Sequence, residues 1–293
     1  MSHQLNQSAK KYLKANVIDD FVLNKEGIWK VIESNQSVTS NHFSNYVYGI
    51  SKLWYKRTKE ALDFMLPEEF ETALDVCCGT GPISLNCMHN KMFKKMYAVD
   101  INKNAIKILI DQIEKYDIKN LVPINMDVMN TDFRSTTFDC VLGHSFLHHL
   151  PDNQAFLSEM HRILKSGGVL CLTHEPTISA GYLEGFIGRL IKNLFKLKKR
   201  SDAQWLGDVW VYNEKELYGM LNKTGYQEVK IIASGKLSTI IGSFVERSWI
   251  RLFKKNPPNM VFKIRDVFSC LDSLLFKKND KDSFSRFTIL ARK

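Results

Sequence analysis

The stretch ETALDVCCGTGPISLNCMH, residues 71–89, decides the fold. Residues 71–77 form a short, mostly apolar run of strand length, halted by Gly79-Thr80-Gly81. A helix is expected from 82 to 89, because Pro82 at its first position lacks an N–H that would have no helical partner there anyway. Strand, glycine turn and helix in this order make the opening unit of an α/β fold, and ligands of such folds sit at the carboxyl ends of the strands.

The alternation continues outward from that turn. Strands are expected at 95–100 (KMYAVD), 121–126, 137–143 (TFDCVLG) and 169–173. A helix over 102–116 places Ile106, Leu109, Ile110 and Ile113 on one face, and a second over 153–165 ends at Gly167-Gly168. Farther on, a helix over 214–224 stops at Gly225, a strand follows at 226–232, and the chain closes with a strand at 284–291. The pattern is that of a doubly wound, Rossmann-like parallel sheet with helices on both faces.

The glycine turn is an incomplete dinucleotide fingerprint, since Gly79-Thr-Gly81-Pro-Ile-Ser84 has Ser where the third Gly or Ala belongs. Carboxylates follow at successive strand ends: Asp75, then Asp100, then Asp127. An acid at position 100 can accept both hydroxyls of a ribose, and one at 127 suits the amine of adenine. Three carboxylates repel a diphosphate and attract a cation, so an adenosyl sulfonium fits better than a dinucleotide.

With those residues in view, LDVCCGTG, AVDIN, NMDV, FDCVLGHSFLHHLPD and LKSGGVLCLTHEP resemble the successive motifs of class I S-adenosylmethionine-dependent methyltransferases. The resemblance covers about 71–175 and implies a seven-stranded sheet with an antiparallel last strand. It also implies S-adenosyl-L-methionine as cofactor. Asp75, Cys77, Gly79 and Gly81 would then line its methionine and ribose end, Asp100 and Ile101 the ribose, Asp127 and Val128 the adenine, with Gly143 and His144 beside the sulfonium. LDVCCGTG and the upstream GISKLWYKRTKEAL (49–62) are similar to the quinone-ring C-methyltransferases of ubiquinone and menaquinone synthesis. HFSNYVYG replaces the Tyr-Asp segment of that branch, and two C-terminal insertions are extra, so the resemblance implies either a quinone-like substrate or a divergent relative acting on a specialised metabolite, carrier-bound or free.

Methyl transfer mainly requires alignment and exclusion of water, and a base only where the acceptor must lose a proton. The candidates are His144, His149, His174 and Glu175, with His148 beside them, all after the fourth and fifth strands. Histidine titrates in the range such a base needs. Tyr46, Tyr48 and Trp54 before the sheet, with Trp205 and Trp210 after it, are candidates for contact with an aromatic or otherwise hydrophobic substrate. No metal site is expected: the six cysteines form no CxxC pair, and most lie in apolar runs suited to a reducing, cytoplasmic setting.

The expected organisation is a helical lid segment over 1–60 and a methyltransferase domain over 61–293, interrupted by helical insertions at about 176–212 and 233–283. In the first insertion, GYLEGFIGRLIKNLFKLKKR (181–200) carries Leu183, Phe186, Ile187, Leu190, Ile191, Leu194 and Leu197 on one helical face. Basic residues lie off that face. The net charge of +10 is uneven: 1–175 hold 19 basic and 20 acidic residues, 176–293 hold 22 and 11. The basic part therefore belongs to the insertions, where it suits a hydrophobic or acidic small molecule, a carrier protein, or a peripheral membrane contact. Neither a signal peptide nor a membrane span is expected. An RNA methyltransferase is the alternative that charge alone would favour, but nucleic acid is disfavoured because no RNA-binding module is recognisable. A non-methylating rearrangement enzyme that uses the adenosyl cofactor is the other alternative.

Overall fold

The computed structural model describes residues 70–150, 152–177, 212–235 and 286–293. It also describes positions 50, 59 and 62 and scattered helical positions between 238 and 272. Seven strands form one sheet: β1 (Thr72–Val76), β2 (Lys95–Asp100), β3 (Leu121–Asn125), β4 (Phe138–His144), β5 (Leu164–Pro176), β6 (Gln227–Ser234) and β7 (Arg286–Arg292). The helices between them are α1 (Pro82–His89), α2 (Lys103–Lys115), α3 (Asn153–Ile163) and α4 (Glu214–Thr224). Strand order is β3-β2-β1-β4-β5-β7-β6, with β7 antiparallel.

β1 is central, paired in parallel with β2 on one side and β4 on the other. Leu74 is fully buried for that reason, and so are Met96, Val141 and Leu170 on the neighbouring strands. The strand order reverses between β1 and β4, where Val76 lies opposite Gly143. Such a reversal opens a crevice outside the strand ends, because the two connections leave to opposite sides.

The helices begin and end where local chemistry satisfies their orphan backbone groups. Asn102 caps α2 by accepting from the amides of Asn104 and Ala105 at 2.9 and 3.2 Å. Asn213 and Glu216 cap α4 reciprocally, each side chain accepting the other's amide at 2.9 Å. At its far end, Gly225 (φ 102) donates to the Asn222 carbonyl and Tyr226 to that of Leu221, the paired bonds that close a helix through a left-handed residue.

Most boundaries shift by one to three residues from the sequence expectation, and the largest difference lies at the α3–β5 junction. α3 ends at Ile163 rather than near Lys165, and β5 begins at once at Leu164 instead of at Val169. Gly167 and Gly168 do not cap the helix; they sit within β5. Gly167 donates to the Lys293 carbonyl and Lys293 donates to that of Gly168, both at 2.9 Å. Gly168 leaves no room for a side chain, since a Cβ would lie 2.9 Å from the Lys165 carbonyl oxygen. Pairing with a segment more than a hundred residues away thus overrides the local stop signal.

The chain divides into two units. One comprises Asn24–His174, Tyr218–Ile231 and Thr288–Lys293; the other comprises Met1–Leu23, Glu175–Leu217 and Ile232–Phe287. Within the second, the buried Asp272 carboxylate accepts from the amide of Ser238 at 3.1 Å and from its hydroxyl at 2.6 Å. The rings of Trp249 and Phe253 lie 4.3 Å apart there. Residues 1–60, expected to be a helical lid, and the expected insertion 176–212 fall almost wholly outside the described residues, and so does most of 233–283. No described helix is long and apolar enough to cross a membrane.

Candidate active site

The turn after β1 is built from left-handed backbone. Cys77, Gly79 and Gly81 have φ of 50, 55 and 77°. The Cys78 amide donates to the Val99 carbonyl at 3.0 Å and the Gly81 amide to the Cys78 carbonyl at 2.9 Å, which closes the loop tightly against β2. At Gly81 the need for glycine is also steric, because a Cβ there would meet Leu109 Cδ1 of α2 at 2.3 Å. α1 starts immediately at Pro82, so its positive dipole end borders the turn.

Acids at the strand ends organise this edge. Asp100 at the end of β2 accepts from the Gly79 amide through Oδ2 and from the Asn102 amide through Oδ1, both at 2.8 Å. Each oxygen keeps a further lone pair for a ligand. Asn125 at the end of β3 donates to the Asp100 and Ile101 carbonyls at 2.9 and 2.8 Å, tying the second and third strand ends together. Asp75 is 1% exposed, and its Oδ2 accepts from the Ser84 amide at 3.2 Å. Burial pushes its carboxyl up from 3.8 to about 7, with nearby Asp100 adding to the rise. Burial raises Asp100 as well. Among the described residues no lysine or arginine pairs with either carboxylate. Two buried acids without a cationic side chain suit a positively charged ligand, the requirement a sulfonium bearing an ammonium group meets.

Asp127 is half-buried and its Oδ1 accepts from the Met129 amide at 2.9 Å; Val128 beside it is buried, and Ile101 is exposed. Cys77 is half-buried on the turn.

Across the crevice, β4 delivers Gly143 and His144. The Phe146 ring covers Gly143 so closely that a Cβ would meet its Cε1 at 2.2 Å. His144 Nδ1 lies 2.8 Å from Thr173 Oγ1 of β5, and that hydroxyl donates to the Gly143 carbonyl at 3.2 Å. The His144 and His174 rings are parallel within 7°, with centroids 5.2 Å apart. His149 is exposed on the short 3-10 turn Leu147–His149, with its ring against that of the buried His148 at 4.0 Å. Glu175 is buried and follows His174 in β5. Among the described residues no cluster of His, Cys, Asp or Glu has the geometry to hold a metal.

The structure thus brings Asp75, Gly79, Gly81 and Asp100 together, and separately joins His144 to His174. Tyr46, Tyr48, Trp54, Trp205 and Trp210 lie outside the described residues. Thr173 and Asn125 were not singled out in the sequence. Their only signal was a position at the carboxyl end of a strand beside a candidate residue. A cavity of about 590 Å³ lined by Phe70, Met92, Phe93, Tyr116 and Ile118 opens before β2 and β3, at the opposite sheet edge from these groups.

The family profile described as a methyltransferase domain matches residues 74–172, the span from β1 into β5. A demethylmenaquinone methyltransferase of Bacillus cereus is 30% identical over 190 residues, which cover 61% of this chain and 78% of the relative. One from Oceanobacillus iheyensis is 28% identical over 221 residues, covering 70% and 86%. Among solved structures, phosphoethanolamine N-methyltransferase 2 of Haemonchus contortus with S-adenosyl-L-methionine shares the fold at TM-score 0.55 and 15% identity; the match covers 85% of this chain and 54% of that one. The [4+2]-cyclase SpnF shares it at TM-score 0.53 and 15% identity, covering 82% and 80%. Sheet order, strand-end acids and these relatives agree: the chain belongs to the class I S-adenosylmethionine-dependent methyltransferases.

Proposed function

We propose that this enzyme C-methylates a hydrophobic, quinone-like ring in its reduced, hydroxylated form. The observation that carries the cofactor half of this reading is the pair of buried carboxylates, Asp75 and Asp100, at adjacent strand ends with no described basic side chain between them. The substrate half is supported by the relatives at about 30% identity, whose names specify demethylmenaquinone.

In this reading Asp75, Cys77, Gly79 and Gly81 face the methionine end of the cofactor. Asp100 and Ile101 hold its ribose, and Asp127 and Val128 its adenine. Gly143 and His144 lie beside the reacting centre. Bound S-adenosylmethionine supplies an electrophilic methyl carbon on a positively charged sulfur. The chain's own residues align the acceptor, keep water out and manage its proton. The ring carbon next to a hydroxyl-bearing carbon becomes a good nucleophile as that hydroxyl gives up its proton, and His144 at the end of β4 is the group assigned to take it; after transfer S-adenosylhomocysteine departs, the methylated carbon sheds its hydrogen and the hydroxyl is restored. His149, exposed on its turn, and Glu175, buried in β5, are weaker candidates for that role than the His144–His174 pair. The basic segments after 175 give the substrate side its affinity for acidic or amphiphilic partners, including a membrane surface.

Product analysis tests the reading. The purified enzyme is incubated with S-adenosylmethionine and, separately, a short-chain demethylated naphthohydroquinone, its oxidised quinone and a bulk RNA. The expected result is a ring-methylated product from the reduced naphthoquinone alone. Methylation of RNA alone, or of hydroxyl oxygen rather than carbon, overturns it.

A further inference from the structure

We infer that Thr173 is a positioning residue that holds His144 as the Nδ1–H tautomer, so that its Nε2 carries the lone pair; the inference deepens, and as to catalysis rests on, the reading of His144 as the proton acceptor. A threonine hydroxyl has one hydrogen and two lone pairs, and a backbone carbonyl only accepts. Thr173 Oγ1 lies 3.2 Å from the Gly143 oxygen and 2.8 Å from His144 Nδ1. If its hydrogen pointed to the imidazole, two lone-pair-bearing oxygens would face each other at 3.2 Å with nothing between them. The hydrogen therefore goes to Gly143, and the short contact to the ring is completed by a hydrogen on Nδ1.

The assignment has a chemical consequence. Neutral histidine in water favours neither nitrogen strongly, so a hydroxyl that demands a donor at Nδ1 selects which nitrogen can act as a base. Proton uptake at Nε2 then leaves the Nδ1–H···Oγ1–H···O=C chain unaltered, because the imidazolium also donates from Nδ1. The ring takes up a proton without breaking its anchor. His174 adds orientation, its ring lying parallel to that of His144 within 7°. Its own backbone is held in the left-handed region (φ 63°), a costly conformation for a residue with a Cβ. Thr173 is fixed in turn, since its carbonyl accepts from the Ser145 amide at 2.9 Å, joining the strand end after His144 to β5.

The test has one arm that needs no substrate. Long-range proton–nitrogen correlation spectra of the full-length enzyme labelled with nitrogen-15 histidine, in mildly alkaline buffer, report which ring nitrogen carries hydrogen. The wild type is expected to show a protonated Nδ1 and a bare Nε2 at His144; the reverse pattern overturns the inference. Thr173→Val, which keeps the shape and removes the hydroxyl, is expected to populate the Nε2–H form and to lower kcat on the order of tenfold to a hundredfold. Its affinity for S-adenosylmethionine should stay as in the wild type. Thr173→Ser is expected to restore both tautomer and turnover. A valine variant whose tautomer and turnover both match the wild type overturns the inference. A shifted tautomer with unchanged turnover upholds the positioning by Thr173 and overturns His144 as the base.

Discussion

Asp75 links the chemistry of single residues to behaviour that can be measured on the whole protein. Its carboxyl is pushed up to about 7 by burial, so in the folded chain it still holds a proton at pH values where the unfolded chain, near 3.8, has lost it. The resulting contribution to stability is fully present below 3.8 and is lost as pH rises through about 7. Asp75→Asn removes the buried charge while keeping an oxygen for the Ser84 amide. The variant is therefore expected to be more stable than the wild type in mildly alkaline buffer, by about 4 kcal/mol at most, with the gap closing in acid. Scanning calorimetry across this window checks it. A cationic ligand favours the ionised acid, so binding of S-adenosylmethionine to the wild type should release protons and tighten from weakly acidic to neutral pH. Calorimetry in buffers of different ionisation enthalpy measures that release. Asp75 and Asp100 were legible in the sequence because a carboxylate at a strand end has few other reasons to be there. Thr173 and Asn125 were not, since their importance lies in which carbonyl or ring their side chains reach across strands, and spacing along the chain carries no trace of that.

Among the elements, the β1–α1 turn shows how tightly the cofactor edge is packed. Gly81→Ala forces a Cβ into a left-handed residue and against Leu109 Cδ1. It is expected to cost roughly 1–3 kcal/mol. Leu109→Ala alone should cost about 2–5 kcal/mol, because that side chain is fully buried in α2. Since the second change makes room for the first, the double variant is expected to lose less than the sum of the two. Urea unfolding of all four proteins measures the coupling, and strict additivity would show that the contact does not govern the turn. The turn, α1 and β2 were readable in advance because punctuation and periodicity there are local. The α3–β5 junction was not: Arg292 and Lys293, bonded to the Gly167 and Leu164 carbonyls at 2.9 and 2.8 Å, hold 164–168 extended from far along the chain. A helix stop and a strand start use the same two glycines, and only the long-range partner distinguishes them.

At the scale of the whole molecule, charge and chemistry are segregated along the chain. The basic excess lies after residue 175, whereas the acids of the candidate cofactor site lie before 130. If the basic segments meet an acidic surface, cosedimentation with anionic-lipid vesicles should be strong in low salt and fall steeply as salt screens the contact. Equal partition to neutral vesicles would contradict that assignment. The fold class was legible because strand–helix alternation over 71–175 repeats the same physical solution three times. The aromatic residues assigned to the substrate lie in segments without such repetition. If the glycine turn and the strand-end acids form one cation-binding edge, calorimetric titration of S-adenosylmethionine into wild type and Asp100→Ala measures it directly. The expected result is one site in the wild type, weakened about a hundredfold in the variant by loss of charge-assisted hydrogen bonds, with circular dichroism unchanged. Equal affinity in the two proteins would contradict it.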